Sequence, residues 1–437
     1  MKIAVVGTGH IGLVIATTMA SLSHDVVGVD SDPEKIAMLE QQRSPFYEPG
    51  LEELLVQELG TGRLSFTSDI AAAVPGCEAV FICVGTPPRA SGEASLAAVE
   101  RAAAAAARAA TGRMVLIEKS TVPAGTSVSL KRTVARERPE LAGELEVVSN
   151  PEFLREGRAV EDSLNPDRIL VGAETEWAFE VLRRIYKPLT NKGVPLIETN
   201  IQTAELAKHA CNAFLALKIS YANALAILCE KSGADVVAVA DVMGADERIG
   251  RAFLDAGIGY GGYCFPKDLQ AFERLSNRLG YGFNLLSEVA RINADAVRHA
   301  ISKVTDALWN LEDKKVVLLG LAFKPETDDV RFAPALTIAK ALIDEGARVV
   351  GWDPEAGAAA KAEVPELEIA SDVFDALEGA HCAVVCTEWE QVCSLDLARA
   401  KEAMAYPIVV DGRNAFDPAQ MAELGFTYSG TGRAPIA

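Results

Sequence analysis

Near the start of the chain, Gly7-Thr8-Gly9-His10-Ile11-Gly12 follows a short apolar run from Lys2 to Val6 and leads into a helix-like stretch from Leu13 to Ser21. A second apolar run, Val26 to Val29, ends in Asp30. This order of strand, glycine turn, helix, strand and acid constrains the fold more than any other feature, because it is how a parallel βαβ unit begins. Gly7 suits the tight turn, Gly9 lets backbone N–H groups reach a pyrophosphate, and Gly12 lets the helix pack closely on the strand. Asp30, about 20 residues past the glycines, stands where an acid binds the adenosine ribose hydroxyls. A carboxylate there repels a 2′-phosphate, so the unit reads as an NAD site rather than an NADP site, with Lys35 nearby as an opposing charge.

At 437 residues the chain exceeds one core and should hold two or three domains. Its net charge of −19 argues against binding to nucleic acid or an anionic membrane. The first apolar run reads as a strand and not as a leader, and no apolar stretch approaches the ~18 residues of a membrane span. A cytosolic protein is expected. Eight cysteines in this length make no disulfide scaffold, and none has zinc spacing. Cys382 and Cys386 flank the strand-like run Ala383 to Val385, while His209 and Cys211, two apart on a helix, would diverge. No metal is expected.

The fold class expected is α/β, with two doubly wound, Rossmann-like domains joined by a helical domain that holds one long helix. Residues 1–198 alternate apolar strands with helical stretches, including Ala79 to Val84, Met114 to Ile117, Leu145 to Ser149, Ile169 to Val171 and Pro195 to Glu198. That is the pattern of a parallel sheet covered on both faces. The alanine-rich stretch from Arg101 to Ala110 needs only helix propensity to explain it. In residues 199–310 the strand signal vanishes, and Ala204 to Lys231 reads as one helix of about 28 residues, ~40 Å long. Such a helix can carry a dimer interface. Residues 311–437 repeat the opening order, with Lys315 to Leu319, Gly320, Ala335 to Glu345, Arg348 to Trp352 and Asp353, but without a full glycine motif.

The chemistry is expected near Gly259-Tyr260-Gly261-Gly262-Tyr263-Cys264-Phe265-Pro266-Lys267-Asp268. A thiolate becomes a good nucleophile where positive charge or a helix N-terminus favours it, and flanking glycines admit a substrate. Cys264 has that setting.

These segments, with Ser44-Pro45-Phe46-Tyr47-Glu48-Pro49-Gly50-Leu51, Cys83-Val84-Gly85-Thr86-Pro87, Lys119-Ser120-Thr121-Val122-Pro123, Asn150 to Gly157, Glu205 to Lys208, Asn212 to Leu215, and Gly320 to Pro325 with Asp328, Asp329 and Arg331, resemble the UDP-glucose 6-dehydrogenases over almost the whole chain. The resemblance implies oxidation of the sugar C6 alcohol to a carboxylate with two NAD⁺. Cys264 would form a thiohemiacetal and then a thioester. Lys208, or a water held by Asp268, would take the hydroxyl proton, and Lys208 with Asn212, four apart on the long helix, would donate to the oxyanion. Glu152, helped by Thr121, would be the base for thioester hydrolysis, with Glu156 as second choice. Gly7, Gly9, Ile11, Gly12, Asp30, Lys35, Thr86, Thr121, Glu156, Lys267 and Arg331 would lie near NAD. Glu152, Phe153, Leu154, Arg155, Lys208, Asn212, Phe253, Leu254, Gly257, Gly261 and Lys324 would line the nucleotide-sugar site, residues 311–437 forming its UDP-sugar domain. Arg248 would reach a neighbouring subunit's site, which implies a homodimer or a dimer-based oligomer, and Arg413 would close the far end.

Taken singly, several of these residues have plainer readings. Lys208 can pair with Glu205 on a solvated helix face, Asp268 can cap the following helix, and Glu152 and Glu156 can sit at a helix N-terminus. His10 and Ser91-Gly92-Glu93 depart from the family's usual residues. GDP-mannose, a UDP-N-acetylhexosamine or dTDP-glucose remain alternative substrates.

Overall fold

The computed structural model describes residues 1–87, 89 and 93–433, so Ser91 and Gly92 lie outside the described residues. The chain forms two compact units, Met1–Cys211 with Gln270–Gly280, and Asn212–Leu269 with Tyr281–Ala437.

The first unit is built on an eight-stranded sheet: β1 (Lys2–Val6), β2 (Asp25–Val29), β3 (Leu64–Thr67), β4 (Ala79–Ile82), β5 (Met114–Glu118), β6 (Leu145–Ser149), β7 (Ile169–Gly172) and β8 (Leu196–Thr199). Their spatial order is β3-β2-β1-β4-β5-β6-β7-β8. The first six follow the doubly wound nucleotide-binding order, in which ligands bind beyond the C-terminal ends of the strands. The side chains of β1 show why: Ile3 and Val5 belong to one apolar core and Ala4 and Val6 to another, so both faces are covered. The alanine-rich helix, Ala97–Ala109, packs Ala102, Ala103, Ala106 and Ala107 into the second of these cores.

One expectation is corrected. The sheet is not wholly parallel, because β7 meets β6 antiparallel through Ser149 and Gly172. The link between them contains only the helix Ala159–Leu164, of six residues. At about 9 Å that helix cannot run back along a strand of about 17 Å as a parallel crossover must.

The long helix, Ile201–Ser232, has 32 residues. By length and composition alone it is apolar enough to cross a membrane, which corrects the expectation that no stretch approaches that test. Its buried positions include Glu205, Lys208, His209, Asn212, Ser220 and Asn223.

The second unit holds a six-stranded sheet: β9 (Lys315–Leu319), β10 (Arg348–Trp352), β11 (Glu368–Ile369), β12 (Cys382–Val385), β13 (Ile408–Asp411) and β14 (Thr427–Gly430). The order β11-β10-β9-β12-β13-β14 repeats the doubly wound pattern, and every pair is parallel. Ala300, Val304 and Leu308 of the helix Asn284–Leu308 enter its core.

Candidate active site

Two of the three glycines of the turn are required by the fold itself. Gly7 has φ +94°, and a Cβ there would meet the Cys83 carbonyl oxygen at 2.7 Å. A Cβ on Gly12 would stand 1.7 Å from the Gly7 carbonyl oxygen, so only glycine permits this approach. A Cβ on Gly9 would meet nothing within 4 Å. The protein itself therefore has no steric need for glycine at 9, which is the N-cap of the helix His10–Ser21. Ile11 packs half-buried against the core, and His10 stacks on Phe46 with centroids 3.8 Å apart. Asp30 Oδ2 accepts from Thr8 N at 2.9 Å, Thr8 Oγ1 at 2.9 Å and Lys35 Nζ at 3.0 Å, whereas Oδ1 accepts from Asp32 N at 3.1 Å. Burial opposes its charge, but these donors prevail and hold the carboxyl below its ordinary range.

Around the C-terminal ends of β4, β5 and β6, the first unit gathers a buried polar cluster. Lys208 Nζ lies 3.0 Å from Glu152 Oε1, and the Leu154 N–H donates to Glu152 Oε2 at 2.6 Å. Lys208 is thus no solvated partner of Glu205. Glu205 instead accepts from Gly125 N at 2.5 Å and Ser127 N at 2.8 Å, capping the helix Thr126–Glu137. His209 Nε2 bonds the Val122 carbonyl at 3.0 Å. These contacts pin the segment that carries Thr121, whose carbonyl accepts from Thr86 Oγ1 at 3.1 Å. Glu152 and Glu156 both precede the helix Ala159–Leu164, whose N-terminal side is capped by Glu48, accepting from Gly157 N at 2.8 Å and Ala159 N at 2.7 Å. Sequence reasoning missed Glu48 and Glu205 as caps because their partners lie about 80 to 110 residues away, beyond any local capping pattern. The Arg168 guanidinium lies 3.9 Å from the Phe153 ring centre and Lys208 Nζ 5.2 Å from it. Arg155, half exposed, pairs with Asp162 at 2.5 Å.

A second cluster lies within the second unit. Cys264 is the first residue of the helix Cys264–Arg278 and is half-buried. Asp268 sits one turn along that helix, not at its cap. Asn212 Nδ2 donates to Asp268 Oδ2 at 2.7 Å, and Lys267 Nζ lies 2.8 Å from Asp268 Oδ1. The buried amide of Asn212 therefore has its partner. Tyr263 stands between two cations, Lys267 at 5.4 Å and Arg331 at 4.5 Å from its ring centre, and Arg331 is itself paired with Asp329 at 2.6 Å. Burial, by contrast, pushes the Cys382 and Cys386 thiols up to about 12.

The loop before Cys264 is held by its backbone. Gly257 N donates to Asn223 Oδ1 at 2.8 Å, Tyr260 N to Asn293 Oδ1 at 2.8 Å, and Gly262 N to the Arg331 carbonyl at 3.0 Å. A Cβ on Gly261 would lie 2.4 Å from the Phe332 carbonyl oxygen. Phe253 adopts φ +65°, and Leu254 is buried. Lys324 lies 5.7 Å from the Phe323 ring centre, and Arg413 donates to the Cys386 carbonyl at 2.8 Å beside Gly257. Arg248 is 88% exposed and pairs with Asp246 at 2.6 Å. Among the described residues there is no group of three or more His, Cys, Asp or Glu that could hold a metal ion.

The acid of the second sheet differs from Asp30. Asp353 Oδ2 accepts from Leu321 N at 2.6 Å, Ala322 N at 3.0 Å and Trp389 Nε1 at 3.1 Å, while Oδ1 accepts from Glu355 N at 2.9 Å and Ala356 N at 2.8 Å.

Comparison with known sequences matches residues 1–190 to the NAD binding domain of the UDP-glucose/GDP-mannose dehydrogenase family, residues 202–295 to its central domain, and residues 317–418 to its UDP binding domain. The chain belongs to this family. It is accordingly an NAD-dependent dehydrogenase with a nucleotide-sugar site. Among family members, it is 43% identical to a UDP-glucose 6-dehydrogenase of Rhizobium meliloti over 437 residues, covering 99% of this chain and 100% of the relative. A solved UDP-glucose dehydrogenase of Pyrobaculum islandicum is 40% identical with a TM-score of 0.90, over 99% of this chain and 98% of that one. A UDP-D-ManNAc dehydrogenase of Pyrococcus horikoshii is 28% identical with a TM-score of 0.88, over the full length of both.

Proposed function

We propose that this dehydrogenase oxidises UDP-glucose to UDP-glucuronate through a covalent intermediate on Cys264. The observation that carries the reading is the placement of Cys264 at a helix start, with Lys267 and an Asp268 held by Asn212 one turn behind it. The three-part division at 1–198, 199–310 and 311–437 goes with it.

NAD⁺, when bound, supplies the hydride acceptor for both oxidations. Gly7, Gly9, Ile11, Gly12, Asp30, Lys35, Thr86, Thr121, Glu156, Lys267 and Arg331 are the residues proposed to hold it. The open surface at Gly9 and the free capacity of Asp30 Oδ1 fit a pyrophosphate and a ribose. Lys208, or a water held by Asp268, takes the C6 hydroxyl proton in the first step. Cys264 then attacks the aldehyde carbon, forming a C–S bond, and Lys208 and Asn212 donate to the oxyanion. The second oxidation leaves a thioester. Water bonds to its carbon, the C–S bond breaks, and Glu152 takes the water's proton. Phe153, Leu154, Arg155, Phe253, Leu254, Gly257, Gly261 and Lys324 are proposed to shape the sugar-nucleotide site. Arg248, exposed beside Asp246, is proposed to complete the site of a second copy, and Phe214, Tyr221 and Leu228, exposed at seven-residue spacing on the long helix, support a dimer.

The test is the ratio of NADH formed to UDP-glucose consumed, for wild type and Cys264→Ser. A ratio of two, with the variant stalled at or before the second oxidation, is expected. Turnover only with GDP-mannose, dTDP-glucose or a UDP-N-acetylhexosamine would keep the chemistry and replace the substrate. Inactivity with all of them would reject the reading.

A further inference from the structure

We propose that Lys119 is a positioning residue for Glu152, holding the turn that carries this carboxylate through the side chains of Asn150 and Tyr186. The inference rests on the reading of Glu152 as the base of thioester hydrolysis.

Lys119 follows the last residue of β5 and is only 6% exposed. An ammonium buried at a sheet end is costly unless it is well bonded. Its Nζ donates to Asn150 Oδ1 at 3.1 Å and lies 3.5 Å from the Tyr186 hydroxyl, which donates to the same Oδ1 at 2.5 Å. At its other end the Asn150 carboxamide donates to the Leu170 carbonyl at 2.7 Å, and the Asn150 N–H donates to the Glu118 carbonyl at 2.8 Å. Asn150 is thus gripped by β5, β7 and the helix Glu176–Thr190 at once. Two residues later comes Glu152, itself tied to Leu154 N and Lys208. Lys119, Asn150, Glu152 and Tyr186 wall one cavity of about 70 Å³. Lys119 thus reaches the base through the Asn150 carboxamide and Pro151.

Lys119 also has a distinctive titration. Burial lowers its amine to about 8, helped by the Lys208 charge and opposed by Cys83 and Glu152. Tyr186, facing it from the helix Glu176–Thr190, is kept neutral by burial. Glu118, its neighbour in sequence, engages Ser120 N, and Glu152, Arg155, Asp162, Asp167 and Arg168 are the other charged residues on the wall of the cavity. Once Lys119 loses its proton, donation to Asn150 is no longer charge-assisted and the grip on the turn weakens.

The experiment compares wild type, Lys119→Met and Lys119→Arg under turnover with UDP-glucose, by mass spectrometry of Cys264 and by the pH profile of hydrolysis. Lys119→Met is expected to release two NADH per active site in a burst and then turn over roughly 10- to 100-fold more slowly. Its KM for UDP-glucose should fall together with kcat, so that kcat/KM stays within about twofold of wild type, and the acyl adduct should accumulate on Cys264. The wild-type hydrolysis rate should fall above about pH 8, whereas Lys119→Arg, whose charge does not titrate there, should hold its rate. Equal slowing of oxidation and hydrolysis without adduct would overturn the inference. If either variant fails to fold, a wild-type hydrolysis rate flat through about pH 9 overturns it. A wild type inactive on every nucleotide sugar rejects the reading of Glu152 itself, and the inference with it. An active wild type with no adduct in Lys119→Met rejects the inference alone.

Discussion

Lys208 Nζ stands 3.0 Å from Glu152 Oε1, and each side chain is 5% exposed. A pair this deep in protein gains little over a well-packed apolar pair, but losing one partner strands the other charge. The same turn of helix turns Glu205 away to cap another helix, so Lys208 pairs with Glu152 of the Asn150–Gly157 loop and not with its helix neighbour.

Lys208→Met should therefore cost about 3 kcal/mol of stability and lower kcat/KM by roughly 100-fold or more. Urea unfolding and steady-state kinetics read the two separately. Unchanged stability would mean that the pair is solvated in solution.

Gly9→Ala and Gly12→Ala should part company. With nothing of the protein within 4 Å of its new Cβ, Gly9→Ala should melt like wild type yet bind NADH at least ~10-fold more weakly in a fluorescence titration. Gly12→Ala places a methyl 1.7 Å from the Gly7 carbonyl oxygen and should lower the melting temperature as well. Equal NADH affinity in Gly9→Ala would remove the pyrophosphate from that turn.

The carboxyl of Glu118 is pushed up to about 8, chiefly by burial, with Ser120 opposing and Glu205 adding to the effect. Unfolded, it titrates near ~4.3. Between these values the folded state holds the extra proton, so its contribution is complete below the lower value and is lost as pH rises through the window. Urea midpoints from pH 5 to 8 should fall less steeply in Glu118→Gln than in wild type.

Glu230 gives the opposite slope. Burial would raise its carboxyl, but His299, Lys303 and the Gly432 N–H outweigh it and hold it down at about 2. Its contribution is complete above the unfolded value and disappears as pH falls toward 2. Acid unfolding followed by circular dichroism should begin at higher pH in wild type than its other carboxylates require, and Glu230→Gln should flatten that limb between about pH 4.5 and 3.

The sheet order was largely legible in the sequence because parallel strands buried on both faces read as unbroken apolar runs, as Lys2 to Val6 and Lys315 to Leu319 do. The short strands Leu64–Thr67 and Glu368–Ile369 were not, since half-exposed edge strands carry no such run. The direction of β7 escaped because apolar runs have no polarity. Among candidate site residues, Lys208 and Asn212 were visible as neighbours on a helix, but their partners Glu152 and Asp268 lie 56 residues away in each case, on opposite sides along the chain. Lys119 and Asn150 enter the sequence reading only as members of longer segments, and Tyr186 does not enter it. Only the fold brings them to one cavity wall.

Asp353 remains. A carboxylate has about four lone-pair positions, and five donors crowd these. Two sheets of the same winding order thus treat the acid after their second strand differently: Asp30 keeps an oxygen with room to accept, and Asp353 is saturated from within. Architectural repetition therefore does not become functional redundancy. At the second sheet the protein's own backbone and indole donors take up the carboxylate that stands where Asp30 stands in the first.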